Sequence, residues 1–154
     1  MVGRTPAAAR QLASRARRRV KGAEVPVPDS ASSSQRIVVD AFFQAARGGD
    51  FDALVSLLHP DVVLRSDFGS RQPALSGPIR GAENVARQAR LSAIPNAQLH
   101  RVLVNGAPGV VVTVAGRPFA VMAFTIAQGK IVEIDAIADS QRVRTLAASF
   151  LTGR

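Results

Sequence analysis

The feature that most constrains the fold is a series of apolar strands in the second half of the chain. Three β-rich segments follow one another between residues 97 and 138, and a turn at Gln128-Gly129 predicts that the last of them is a hairpin. In the central segment, PGVVVTVAG, both alternating sets of residues are largely apolar, so both faces of the sheet need cover. We expect helices to cover one face, and a pocket lining or a partner subunit to cover the other.

Helical patterns surround these strands. Ser32–Ser34 can cap a helix over Gln35–Arg47 that stops at Gly48-Gly49, and Asp50 caps the helix DFDALVSLL. The strand DVVLRSDF, the helix GAENVARQARL and a final helix DSQRVRTLAASFL complete the pattern. The predicted order α-α-β-α-β-β-β-β-α indicates an α+β domain in which a curved antiparallel sheet wraps around helices.

The basic charge is concentrated at the start of the chain. The net charge is +9, and residues 1–22 contain seven cationic side chains and no acidic one, so the remainder is nearly neutral. Thr5-Pro6 is a good helix start, and Ala, Gln, Leu and Arg then predict an isolated basic helix with a narrow apolar stripe. The segment GAEVPVPDSASSS that follows has the composition of a linker.

Several classes of protein are disfavoured by composition. The chain has no cysteine, which fits a reducing cytoplasm, and no apolar run approaches the ~20 residues that span a bilayer. No apolar region follows the basic residues, which excludes a secretory signal. The two histidines give no metal-site pattern, and RGGDFD interrupts two helices instead of following a strand as a nucleotide-binding loop would. We therefore expect no metal, no cofactor and no membrane contact.

The order of motifs resembles a known family. VVDAFFQAARGGDFDALVSLLHPDVVLRSD, then PIRGAENVAR, then a hairpin ending IVEIDAIAD is similar to SnoaL-like members of the NTF2-like superfamily, which have a cone-shaped α+β fold. The opening GRTPAAARQLASRARRRV resembles the recognition helix of sigma factor region 4, which enters the major groove at a promoter. Together the two parts resemble extracytoplasmic-function sigma factors with a C-terminal SnoaL-like extension.

This resemblance implies three parts and a set of partners. Residues 1–21 would be a remnant of the recognition helix, 22–34 a flexible linker and 35–154 the SnoaL-like domain. Region 2 and the scaffold helices of region 4 are missing, so we expect the chain to be a C-terminal part that contacts RNA polymerase and promoter DNA in the full-length context. The residues expected to contact DNA are Arg4, Arg10, Arg15, Arg17, Arg18 and Arg19.

The resemblance also implies a regulatory motif. Family members carry an Asp-Gly-rich motif after the first strand and an Asn-Pro-Asp-like motif near the final helix. The corresponding places here read DFGSR and ADSQR, in which Asp67, Gly69 and Asp139 match while the other positions depart. In that family the extension is thought to regulate the sigma factor rather than to catalyse, so the resemblance predicts no catalytic residue.

An enzyme is the alternative. Alternation places Glu133 and Asp135 on one strand face with Ile131 and Ile137, and carboxylates in an apolar cone would suit proton transfer. The catalytic set would be Asp67, Asp135, Glu133 and Arg101, with His59 and His100 as the remaining acid–base groups. The competing interpretation puts Glu133 and Asp135 at an exposed or dimer-facing edge, paired with Arg117 or Arg101.

The sequence alone therefore leaves three candidate functions. The preferred one is the regulatory C-terminal region of an extracytoplasmic-function sigma factor in the cytoplasm, responding to a small apolar ligand in the cone. The second is a cyclase, isomerase or hydrolase that uses a pocket aspartate on a hydrophobic substrate. The third is a homodimerisation module whose apolar sheet face is an interface.

Overall fold

Four helices and six strands make up the part of the chain that the computed structural model describes, residues 33–69, 77–104 and 106–152. The predicted order is confirmed, with one addition, the short strand β2. The elements are α1 (Ser33–Gly48), α2 (Phe51–Leu57), β1 (Leu58–Asp67), β2 (Ile79–Arg80), α3 (Ala82–Ser92), β3 (Gln98–Val104), β4 (Ala107–Val114), β5 (Arg117–Ala127), β6 (Lys130–Ile137) and α4 (Ser140–Thr152).

The predicted parts at the start of the chain lie almost wholly outside the described residues. This holds for the basic helix, for the linker as far as residue 32, and for the six arginines expected to contact DNA. Helix α1 begins at Ser33, so the last two residues assigned to the linker belong to the helix.

The helix ends follow from local chemistry. Gly49 adopts a φ of +69° after α1, and the Gly49 N–H donates to the Ala46 carbonyl at 3.2 Å. Asp50 then caps α2, because its Oδ1 accepts from the Ala53 N–H at 3.1 Å. Both features were predicted from the sequence, and together they reverse the chain between α1 and α2.

The strands form one mixed sheet in the order β2-β1-β6-β5-β4-β3. Strands β3 to β6 form an antiparallel meander, but β1 pairs with β6 in parallel. The predicted curved sheet is thus present, and its one described parallel pair is β1 with β6. Strands β1 and β6 are separated in sequence by β2, α3 and strands β3 to β5. Such a long connection allows parallel pairing, which a tight turn does not.

Each face of the sheet carries its own hydrophobic core. The main core lies under α1, α2 and α3, where Phe42, Phe43 and Phe124 pack edge to face with ring centroids 5.4 to 5.7 Å apart. On the other face, Val111, Val121 and Ile137 form a second core with side chains of α4. Helix α4 therefore supplies the cover that we had assigned to a pocket lining or a partner subunit.

A β-bulge changes the alternation of β6. Thr125 of β5 pairs with Glu133, whereas Ile126 pairs with Ile131, so Val132 is an extra residue in the ladder. Ile131 consequently joins the main core, while Glu133 shares the opposite face with Thr125. The predicted common face of Glu133 and Ile131 is wrong for this reason.

Candidate functional site

An apolar cavity of about 400 Å³ lies between α1, α3 and the face of the sheet that carries the main core. Its walls are mostly Phe, Leu, Ile, Val, Met and Ala side chains. The described lining residues with a polar or charged side chain are Arg47, Ser66, Gln88 and Ser92. A cavity of this size and character is typical of a site for a small apolar molecule.

The mouth of the cavity is shaped by a second bulge. Val112 pairs with Ala120 but Thr113 pairs with Pro118, so Phe119 is an extra residue in β5. Phe119 lines the cavity and is still 49% exposed. The ring thus lies where the cavity meets solvent.

None of the residues in the predicted catalytic set lines this cavity. Leu64 and Ser66 of β1, and Ile134 and Ala136 of β6, line it, and the residues between them point to the other face of the sheet. Asp67, Glu133 and Asp135 therefore lie on the α4 side. The expectation that these carboxylates face the cone is corrected by the strand alternation.

The two carboxylates of β6 are not at an exposed edge either. Glu133 and Asp135 are both fully buried, and β6 is an interior strand between β1 and β5. The Arg65 guanidinium forms an ion pair with Glu133, and Arg65 is also the ladder neighbour of Asp135. The pairing predicted with Arg117 or Arg101 is therefore wrong for Glu133, whose described ion-pair partner is Arg65.

Arg101 lies on the edge strand β3, where it forms an ion pair with Asp40 of α1 at 2.5 Å. Nearby, Arg36 donates from Nη1 to the Gly109 carbonyl at 2.8 Å and from Nη2 to the Val102 carbonyl. Burial first, and then the charge of Arg101, lower the pKa of Arg36, while Asp40 opposes them. These contacts tie the start of α1 to the β3–β4 hairpin and have no part in the cavity.

The two histidines make local hydrogen bonds. His59 lies in β1, where its Nδ1 accepts from the Asp61 N–H at 3.0 Å. His100 Nε2 lies 3.0 Å from the Thr113 hydroxyl on the neighbouring strand. Within the described ranges, no three His, Cys, Asp or Glu side chains are grouped as metal ligands would be.

The structure brings the three predicted regulatory residues together. Asp67 Oδ1 accepts from the Gly69 N–H at 2.9 Å, and the Asp67 carbonyl accepts from the Ala138 N–H at 2.8 Å. Arg142 joins the two motifs, with Nη2 at 2.6 Å from Asp67 Oδ2 and Nε at 3.1 Å from Asp139 Oδ2. We call Asp67, Gly69, Asp139 and Arg142 the motif cluster.

Glycine is required in the motif cluster for two reasons. Gly69 has a φ of +85°, a backbone conformation that residues with a Cβ disfavour. A Cβ there would also stand 2.9 Å from Asp139 Oδ1. The absence of a side chain at this position lets the end of β1 approach the start of α4.

Arg142 is the cation that pairs with both carboxylates of the motif cluster. The hydrogen bond to Asp67 raises the pKa of Arg142, burial lowers it by less, and the hydrogen bond to Asp139 adds a further increase. A cation whose pKa is raised on folding contributes stability that is present below its ordinary pKa, so this contribution is constant across the neutral range. All three side chains remain half-buried and accessible to a partner.

Sequence reasoning missed Arg142 and Arg65. Arg142 lies within the motif ADSQR, and its spacing of three residues from Asp139 at the start of a helix is a signal for an ion pair. Arg65 had no comparable signal, since its partner Glu133 is remote in sequence and adjacent only through the parallel β1–β6 pair.

Comparison with known proteins gives a match over most of the described domain. A family model described as "SnoaL-like domain" matches residues 39–134. A relative from Mycobacterium tuberculosis, the extracytoplasmic-function RNA polymerase sigma factor SigJ, is 38% identical over 87 residues. That match covers 56% of this chain and 28% of the sigma factor, so the matched segment spans less than a third of that relative.

Solved structures agree with this assignment. The crystal structure of M. tuberculosis SigJ matches with a TM-score of 0.57 and 31% identity, over 90% of this chain and 51% of that one. An LEH-like epoxide hydrolase from M. tuberculosis has a TM-score of 0.52 and 20% identity, over 76% of this chain and 95% of the other. An NTF-2-like protein from Burkholderia xenovorans LB400 has a TM-score of 0.55 and 20% identity, over 71% and 86%. The last two matches establish the fold alone.

No helix in the described ranges combines the length and the hydropathy needed to cross a bilayer.

Proposed function

This chain belongs to the SnoaL-like family, and from that premise we propose that it forms the regulatory C-terminal region of an extracytoplasmic-function sigma factor. In this proposal the domain modulates transcription initiation by the sigma factor to which it is joined. RNA polymerase and promoter DNA are the partners of that full-length protein, and the cytoplasm is where it acts.

The similarity to SigJ is the observation that carries the proposal. The SigJ structure is 31% identical to this chain, above the 16 to 21% of the other solved structures compared with it. The SigJ structure also matches 90% of this chain, a larger share than the 76% matched by the epoxide hydrolase. The likeness to the sigma factor thus extends over more of the chain than the likeness to the enzyme.

The motif cluster is the surface through which we propose that the domain acts. It joins the end of β1 to the start of α4 and presents two carboxylates and a guanidinium that are each partly open to solvent. Such a half-exposed charged set can form hydrogen bonds with a polar partner surface. We propose that it contacts the polymerase-binding parts of the same sigma factor. The six arginines of residues 1–21 are proposed to contact DNA in that longer chain.

The enzyme alternative receives less support from the geometry. Among the described lining residues of the cavity there is no Asp, Glu or His, so none of the groups that we had proposed for proton transfer reaches a molecule inside it. The cavity therefore supports binding of a small apolar molecule more directly than it supports proton-transfer catalysis. Homodimerisation stays a prediction that sedimentation at several concentrations would test.

In vitro transcription tests the proposal. The full-length sigma factor that carries this chain would be compared with a version that lacks residues 35–154, on the same promoter and at the same polymerase concentration. We expect removal of the domain to change the yield of specific transcripts several-fold. Equal yields from the two proteins, with equal polymerase binding, would contradict a regulatory role.

A further inference from the structure

The cavity has one charged group on its described lining, and that group is a cation. Arg47, near the end of α1, lines the cavity and is exposed to solvent on its other side. No carboxylate occurs among the described lining residues, so the local potential favours a negative ligand group. The remaining polar lining groups are neutral.

Arg47 is held in place by the loop that follows α3. Its Nη2 donates to the carbonyl of Ala97, and Ala97 itself lines the cavity together with Ile94. The Ala97 N–H donates in turn to the Ile94 carbonyl at 3.1 Å, which closes the loop on itself. A guanidinium has five N–H donors, so donors remain for a ligand after this contact.

The two polar side chains that α3 contributes to the cavity lining are neutral and add no charge to it. Gln88 Nε2 donates to Ser92 Oγ at 2.6 Å, so these two lining side chains hydrogen-bond to each other. Ser66 is the polar lining residue that the sheet contributes, and it lies beside Ala136. The interior is therefore suited to a hydrocarbon body, and charge is confined to Arg47.

From this arrangement we propose that the cavity binds an apolar molecule with one carboxylate headgroup. The hydrocarbon part would lie against Phe42, Phe43 and Phe119, and the carboxylate would bind Arg47. The inference deepens the proposed function by naming the chemical class of the regulatory ligand, and it rests on that proposal only for the ligand's regulatory role. Guanidinium and carboxylate form paired, charge-assisted hydrogen bonds, which give orientation as well as affinity.

Isothermal titration of the 154-residue chain with three probes of equal chain length tests the inference. The probes are decanoate, decanol and decyltrimethylammonium, each below its aggregation concentration. We expect decanoate to bind about tenfold more tightly than decanol, since a charge-assisted contact is added to the same apolar burial. The cationic probe is expected to bind most weakly.

Single substitutions test which side chain causes the preference for decanoate over decanol. Arg47→Gln should reduce decanoate affinity about tenfold and leave decanol affinity unchanged, while the exposed Arg87→Gln of α3 serves as a matched control with no effect on either probe. Ala136→Leu, which places a larger side chain on the cavity wall, should weaken both probes. Circular dichroism would verify that each variant is folded, and Arg47→Gln alone keeps the test decisive if Ala136→Leu fails to fold.

The outcomes separate this inference from the proposed function. Equal affinities for decanoate and decanol, no binding of either, or a decanoate affinity that Arg47→Gln does not change would each overturn it. Removal of residues 35–154 would still change transcription in those cases if the regulatory proposal is correct. Decanoate binding through Arg47 with no effect of domain removal would support the ligand class and contradict the regulatory role.

Discussion

At the scale of single residues, the motif cluster shows how few side chains connect two distant parts of the chain. Asp67 closes the turn after β1 with one oxygen and binds Arg142 with the other. Asp139 shares the same guanidinium, and Gly69 leaves the space in which the two motifs meet. The residues matched to the family's motifs are therefore explained by one contact between β1 and α4.

The space at Gly69 can be tested by adding one methyl group. Gly69→Ala should destabilise the protein by about 2 kcal/mol, because the Cβ adds both backbone strain and a collision with Asp139. Gly106→Ala is the matched control, since Gly106 has the same φ of +85° but nothing within 4 Å of the point that a Cβ would occupy, so we expect about 1 kcal/mol. Urea denaturation would measure both. Equal losses would show that the contact with Asp139 is not tight.

Glu133 gives a second prediction at this scale. Glu133→Gln removes the charge that balances Arg65, and we expect a loss of about 2 kcal/mol, moderated because Arg65 is 27% exposed. The exposed Glu83→Gln is the control and should change the free energy of unfolding by less than about 0.5 kcal/mol. Chemical denaturation at neutral pH distinguishes the two. An unchanged stability for Glu133→Gln would contradict a structural role for the pair.

At the scale of elements, the sequence predicted which helices and strands form but not which way some side chains face. The cap at Asp50, the stop at Gly49 and the hairpin at Gln128-Gly129 depend on neighbours in sequence, and these local features were predicted correctly. The face of Glu133 depends on a bulge opposite Thr125, which no local pattern reveals. The parallel pairing of β1 with β6 likewise arises from tertiary structure.

The same limit applies to the candidate site. The residues matched to the regulatory motifs were found from the resemblance, and the structure places them together. The cavity lining could not be predicted, because it combines side chains of α1, α3 and five strands that carry no signal individually. The carboxylates predicted as catalytic lie outside the cavity, because the bulge at Val132 and the alternation of β1 and β6 place them on the α4 side.

The packing of helix α4 gives a testable prediction at the scale of secondary-structure elements. Leu146 is fully buried in the second core, and Leu146→Ala should cost about 3 kcal/mol through lost burial and a residual void. Leu91→Ala is the control, because Leu91 is 73% exposed on α3 and should cost less than about 0.5 kcal/mol. Thermal and urea denaturation would report both. A small loss at Leu146 would mean that α4 is not the cover of this face.

At the scale of the whole molecule, the two faces of the sheet have separate tasks. One face, under α1 and α3, holds the cavity, and the other is closed by α4. Strands β1 and β6 belong to both, since Ser66 and Ala136 line the cavity while Asp67 and Ile137 face α4. A ligand that moves these strands would therefore also move the motif cluster, which is how we propose that the cavity influences the sigma factor.

The central claim is that the motif cluster couples this domain to transcription, and promoter-specific transcription in vitro tests it most directly. The full-length sigma factor would carry either Arg142→Gln or, as the control on an exposed position of the same helix, Arg144→Gln. We expect Arg142→Gln to shift the yield of specific transcripts several-fold toward that of the protein without residues 35–154, with Arg144→Gln equal to the unmodified protein. Equal yields from all of the intact proteins, at equal folded concentration, would contradict the claim.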